Sequence, residues 1–395
     1  MNTIISKNRR WGGGKSVSFL LSVLGGAHFV ATAALLVLLL CASAYMPLMA
    51  ADWTVDGVDY TALKSLKGAN SGYVVTGITP LCTNIVKMKF QPVAAVGALF
   101  CARDASASGM FTCYHSTQDG SIRIDRGAKS TNNQKTSNSK VSTRNDYLLT
   151  ADYGKKTATI VLSGGGVDLF GKALGGADTY TVGSTLALFA MHSNHKSYSS
   201  YGTDYIYYFE LYDSSGNLKH CLLPAQRNTD GVYGFYDTRT GTFYPQSGGA
   251  LTAAERTVKV TDTCKKWTGR GDGVSMSDGA NWEGGVAPQA GDNLDFTLAA
   301  PLAEINADIS GVTFGKLWID DGDIPTFTGS MSVSDCNNRA KVVGNTSVVF
   351  TAGDYTWRGT ETNWDDADAW TLDNVAVTWV DNNNAIFNLI CCFFN

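Results

Sequence analysis

Between Trp53 and about Val260 apolar and polar positions alternate in short runs, separated by clusters of Gly, Ser, Asn and Asp. A period of two with turn residues at the breaks predicts strands of half-buried sheets rather than helices. IVKMKFQPV (85–93) and SIRIDRG (121–127) alternate cleanly. GALFCAR (97–103) and MFTCYHS (110–116) read as a hairpin, and residues 146–165 as two strands around Asp152-Tyr153-Gly154-Lys155-Lys156. TLALFAMHS (185–193) is a strongly apolar run. YIYYFELYD (205–213), NLKHCLLPA (217–225), GVYGFYDT (231–238) and GTFYPQ (241–246) complete the set, with tight-turn compositions at 213–217 and 238–241. One short turn, Tyr60–Lys67, reads as helical. The stretch from Arg126 to Arg144, mostly Ser, Thr and Asn, reads as a solvated loop. One apolar and one polar face per strand is the pattern of a sheet packed on a second sheet.

The stretch YIYYFELYD-SSG-NLKHCLLPAQRNTDGVYGFYDTRTGTFYPQSGG, within Tyr205–Gly249, carries a resemblance. It resembles the C-terminal part of concanavalin A-like, LamG-type jelly-roll domains of bacterial and phage surface proteins. The matching elements fall on Ile206–Asp213, Gly216–Ala225 and Gly234–Gly248. The resemblance implies a jelly-roll β-sandwich over about 53–256. The residues give the same hairpins unaided: aromatics on both arms of Gly234–Asp237 and Thr240–Tyr244 can pair across strands. Asp237 can accept backbone N–H bonds in the turn between them.

After Val260 the texture changes. Trp267-Thr268-Gly269 leads through a Gly/Ser/Asp loop to Asn281-Trp282, followed by Gly285, Pro288, Gly291-Asp292 and Phe296. Trp357-Arg358-Gly359, Asn363-Trp364, Trp370 and Trp379 repeat the theme further on. A repeat of this kind implies stacked β units that bury a shared core. The pattern resembles the Trp-x-Gly…Asn-Trp motif that opens β-solenoid passenger regions of autotransporter-like adhesins. A second small sandwich with Trp in its core is the alternative. The expected organisation is therefore all-β: a signal peptide over 1–50, an antiparallel jelly-roll β-sandwich over 51–260, and a β-solenoid-like or small β-repeat region over 261–395. The terminal ICCFFN reads as a truncated end.

Residues 1–50 carry Lys7, Arg9, Arg10 and Lys15 with no acidic residue. An apolar run from Phe29 to Cys41 follows, then small-residue exits at Ala42-Ser43-Ala44 and Leu48-Met49-Ala50. That order is the one of a secretory signal, and the apolar core is shorter than the roughly 20 residues that span a bilayer. Cleavage would leave a chain more acidic than the whole-chain net charge of −4. Scattered Lys and Arg on an acidic chain argue against nucleic acid as partner, and a membrane enters only through the export signal. An exported chain permits disulfides. Cys101 and Cys113 flank the 103–109 turn and could face each other, or stand as two unpaired core thiols. No CxxC pair or zinc spacing occurs.

The resemblance brings glycanases into view, because relatives of that kind carry Glu-x-Asp-x-x-Glu on one strand. No such run occurs here. Glu210 and Asp213, three apart on a strand, point to opposite faces and cannot flank one glycosidic bond, which needs carboxyl groups about 5–5.5 Å apart in a retaining enzyme. His115, His192, His195 and His220 are scattered, and no nucleophile elbow, P-loop or HExxH appears. Calcium is the cofactor the resemblance makes possible, held by loop carboxylates and carbonyls. Tyr198, Tyr201 and Tyr205 sit in or beside a Ser/Gly-rich region and are the candidate ligand-binding residues, able to stack on sugar rings. The expectation is a non-catalytic surface recognition module that binds glycan or a surface, in a secreted or cell-surface bacterial protein. A purely structural display module is the alternative.

Overall fold

The computed structural model describes residues 53–350, except for short gaps, the longest at 94–96, 117–120, 129–133, 137–140, 176–178, 193–195 and 343–346. Beyond them it describes the strands Asp354–Trp357, Trp370–Leu372, Val375–Val377 and Asn384–Ile386. The export segment, His195, most of the second Trp copy and the terminal ICCFFN lie outside the described residues.

The chain is nearly all strand. In one sheet Thr157–Leu162, Tyr147–Asp152, Ile85–Gln91, Tyr205–Tyr212, Leu218–Arg227 and Val232–Asp237 are successive antiparallel neighbours. In the other, Gly72–Val75, Ala187–Leu188, Gly97–Arg103, Met110–His115 and Ile122–Gly127 follow in the same manner. Thr242–Gly248 joins the two: Thr242–Pro245 pairs with the 232–237 strand, and Gln246–Gly248 turns to pair with Gly72–Val74. The sheets face each other across a core that includes Phe90, Phe100, Phe111, Phe209 and Phe235, all fully buried. Each such ring contributes about 1.5–3 kcal/mol by burial.

Four expectations change. Val58–Lys67 is a strand, not a helical turn. Its Leu63 and Leu66 enter the sandwich core while Tyr60 and Ala62 enter a separate cluster, so both faces are apolar and the alternation disappears. Arg126 is fully buried, its Nε donating to the Tyr153 carbonyl at 2.7 Å, and Gln134–Thr136 pairs with Arg123–Asp125. The 126–144 stretch is thus partly sheet. The 185–193 run is two short pieces, Ala187–Leu188 and Met191–His192, separated by Phe189 at φ 66°. Cys101 and Cys113 do not face each other: Phe100 opposes Cys113 and Cys101 opposes Thr112. That register sends Cys113 into the core and Cys101 to the outer face, and both thiols are free.

Downstream, Lys265–Lys266, Leu294–Asp295, Thr313–Trp318, Met331–Cys336 and Val348–Phe350 form one parallel sheet in sequence order. Glu304–Ala307 pairs in parallel with Thr326–Gly329. Leu294 opposes Leu317, which opposes Cys336; Phe314 opposes Val333, which opposes Phe350. Each segment repeats the apolar position of the one before, and these residues share a second core. The Trp-x-Gly…Asn-Trp motif closes its first end. Trp267 and Trp282 meet edge to face at 5.1 Å, Thr268 and Gly269 donate to the Asn281 carbonyl, and Trp282 Nε1 donates to the Met276 carbonyl at 2.8 Å.

Sandwich and parallel region belong to one compact unit from Ala51 onward. Leu298, Ala300 and Ala303 pack on Tyr60, Tyr208, Leu223 and Tyr236, so the outer face of the first sheet is covered. Arg239 Nη2 donates to the Gly271 carbonyl at 3.0 Å, and Arg270 donates to the Thr238 carbonyl and to Tyr236 Oη at 3.2 and 2.7 Å. Arg256 pairs with Asp320 at 3.0 Å and Lys89 with Asp323 at 3.0 Å.

Candidate functional site

The outer face of the second sheet has a different character. Val74 points into the core, so Tyr73 beside it points outward. Met191–His192 and Tyr198–Ser199 form a small hairpin over that face. The hairpin is clamped to the 97–103 strand. His192 Nε2 lies 2.9 Å from the Cys101 carbonyl, and the Ala98 amide donates to the Ser200 carbonyl at 2.8 Å. Gly97, at φ 95°, lies so close beneath that a Cβ there would collide with the Tyr201 carbonyl.

The clamp brings three tyrosines together. Tyr73 and Tyr198 are stacked, with centroids 4.0 Å apart and planes 19° from parallel, and Tyr201 follows at 6.1 Å from Tyr73. Tyr201 Oη donates to the Tyr198 carbonyl at 3.1 Å. All three are half-buried, giving an amphipathic platform with apolar ring surface and polar tips. Burial, and then the neighbouring Tyr73 phenol, hold the Tyr198 phenol above its ordinary value. Two of the three tyrosines expected from sequence, Tyr198 and Tyr201, are thus brought together. Tyr205 is not among them. It pairs with Lys67 and Gln91 in the first sheet, with the Lys67 ammonium 5.5 Å from its ring centroid. Tyr73 was missed because its partners are far away in sequence. Its one signal is an aromatic residue at an outward position of a short strand.

Glu210 is fully buried at the joint with the downstream region. Tyr212 Oη donates to it at 2.6 Å and the Leu302 amide at 3.2 Å. Burial pushes its carboxyl up to about 7, against the lowering influence of those two bonds. Asp213 lies in the following turn, where it accepts from the Ser215 and Asn217 amides. The two carboxylates have separate structural tasks and do not flank a common space. Asp237 is buried in its turn, accepting from the Cys221 and Arg239 amides, from Thr240 Oγ1 and from His220 Nδ1. Among the described residues no group of three or more His, Cys, Asp or Glu is placed to hold a metal ion, and no helix is long and apolar enough to cross a membrane. A cleft of about 410 Å³ at the joint is bordered by Tyr236, Trp267, Trp282, Lys266 and Arg270. The three rings are at most 3% exposed and offer no face for stacking.

No protein-family model matches the chain, and no curated protein matches its sequence. Among solved structures the chain is similar to a Bacteroides ovatus protein assigned as carbohydrate-binding, at 8% identity over 51% of this chain and 62% of that one, with a TM-score of 0.33. It is also similar to domains LG4-5 of the mouse laminin alpha1 chain, at 13% identity over 53% and 50% of the two chains, with a TM-score of 0.31. A third is the SAP-like pentraxin of Limulus polyphemus, at 13% identity over 40% and 78%, with a TM-score of 0.26. The chain spans between half and two thirds of the first two of these.

Proposed function

We propose that this chain is an exported, non-catalytic recognition module that binds glycan through the platform of Tyr73, Tyr198 and Tyr201. One observation carries the reading: a stack of half-buried tyrosines stands on the outer face of one sheet, while the outer face of the other is given over to internal packing. Sugar rings present an apolar face and a rim of hydroxyls, which is what paired tyrosines with polar tips match. Glu210 is enclosed by Tyr212 and Leu302 rather than aimed at a cleft, which favours binding over hydrolysis.

The same proposal takes 1–50 as a cleaved export signal, 51–260 as the recognition sandwich and 261–395 as a solenoid-like passenger region. Parallel strands that pair with their successors in the sequence support the last part. A display role, in which the sandwich is a structural cap on that region, is the second reading. It is favoured by the apolar contact of Leu298, Ala300 and Ala303 with the sandwich.

The test is a thermal-unfolding screen of the full chain against soluble glycans. A ligand at 100 times its Kd adds about 2.7 kcal/mol to a native state that alone binds it. A shift for one glycan class that Tyr198→Ala removes supports recognition. A cooperative melt that no glycan moves leaves the display role.

A further inference from the structure

The tyrosine platform borders a polar floor. On the 97–103 strand Phe100 and Ala102 enter the core, so Cys101 and Arg103 face outward. On the 110–115 strand Phe111 and Cys113 enter the core, so Thr112 and Tyr114 face outward. Register places Asp125 opposite Thr112 and Arg123 opposite Tyr114. These side chains share the face that carries the hairpin. Arg103 stands two positions from Cys101, whose carbonyl lies 2.9 Å from His192 Nε2, and the His192 ring is 5.8 Å from Tyr198. Two residues along a strand is about 7 Å.

Two atoms of this floor have no hydrogen-bond partner although they are buried: Nε of Arg103 and Oγ1 of Thr112. Thr112 is fully buried. A buried unpaired donor costs about 1–3 kcal/mol, and such groups call for an explanation when they gather in one place. The floor holds two guanidinium groups, Arg103 and Arg123, against one carboxylate, Asp125. The nearby Asp104 is turned into its own loop, where it accepts from the Ser108 amide at 2.8 Å.

We propose that Arg103 and Thr112 form an acidic-sugar subsite next to the tyrosine platform, receiving a carboxylate or sulfate of the bound glycan. This rests on the glycan reading above. A planar guanidinium suits a two-oxygen anion better than an ammonium does, and the Thr112 hydroxyl supplies one further donor. The excess of positive charge on the floor selects an acidic sugar over a neutral one.

The experiment is calorimetric titration of the full chain with three oligosaccharides of equal length: an oligogalacturonate, a heparin-derived sulfated one and a neutral β-glucan. At least one acidic ligand is expected to bind about tenfold more tightly than the neutral one, with a gap that narrows as salt rises. A larger gap for the uronate assigns a carboxylate to the subsite, and a larger gap for the heparin fragment a sulfate. Arg103→Ala is expected to bring the acidic ligand down to the neutral level, and Arg103→Lys to restore part of the gap. Thr112→Val, which removes a buried unpaired hydroxyl and therefore folds, is expected to lower acidic affinity a few-fold. The proposal is overturned if the neutral glycan binds as well as both acidic ones, or if Arg103→Ala keeps the preference. In either case binding that Tyr198→Ala abolishes leaves the glycan reading standing. If no oligosaccharide binds, both fall.

Discussion

Glu210 shows how burial alone can reassign a residue. A carboxylate in a sugar-binding type of fold invites a catalytic reading, yet here it receives the Leu302 amide of the downstream region. Its carboxyl is raised from the ordinary 4.5 to about 7, so folding favours the neutral acid. Its contribution to stability is fully present below pH 4.5 and is lost as pH rises to about 7. The loss is about 3 kcal/mol, at roughly 1.4 kcal/mol for each tenfold change in ionisation equilibrium. Glu210→Gln is expected to flatten this dependence, matching wild type near pH 4.5 and exceeding its stability at pH 8, as read by urea denaturation at both pH values. A variant that is less stable than wild type at pH 8 would show that the ionised form is the one the joint requires. Asp237 is the opposite case, because its buried carboxylate satisfies four donors. Asp237→Ala is expected to destabilise the fold by about 2–4 kcal/mol, measured in the same way.

At the level of elements, the hairpins of 205–249 were legible because each break carries turn chemistry and each arm alternates. The turn at 237–241 adds an acceptor in Asp237 and a glycine, Gly241, at φ 73°. The 58–67 strand was not legible, since its two faces enter two different clusters. Of the candidate site, Tyr198 and Tyr201 were visible as aromatics in a Ser/Gly-rich stretch. Their grouping with Tyr73, and the separation of Tyr205, depend on sheet order that no local pattern encodes. The polar floor did leave a trace: Arg103, Thr112, Tyr114, Arg123 and Asp125 occupy alternate positions of otherwise apolar strands. The clamp under the hairpin gives an element-scale prediction. Gly97→Ala adds a Cβ where the Tyr201 carbonyl sits and a strained positive φ. It is expected to cost about 1–3 kcal/mol and to weaken glycan binding, measured by denaturation and titration. Unchanged binding would detach the hairpin from the site.

At the scale of the whole molecule, the joint binds the two regions through an apolar cluster and several cationic clamps. Arg239, Arg270 and Arg256 each reach a carbonyl or carboxylate across it. Residues 51–260 expressed alone would expose Tyr60, Tyr208, Leu223 and Tyr236. That fragment is expected to melt below the full chain and to bind an apolar dye, and a fragment melting at the full-chain temperature would make the joint incidental. The central claim concerns the other outer face, where the tyrosines stand. The most direct measurement is calorimetric titration of the best glycan ligand into wild type, Tyr198→Ala and Tyr205→Ala. The account predicts that Tyr198→Ala abolishes binding while Tyr205→Ala, on the other sheet, leaves it intact. Binding lost in Tyr205→Ala and retained in Tyr198→Ala would contradict it.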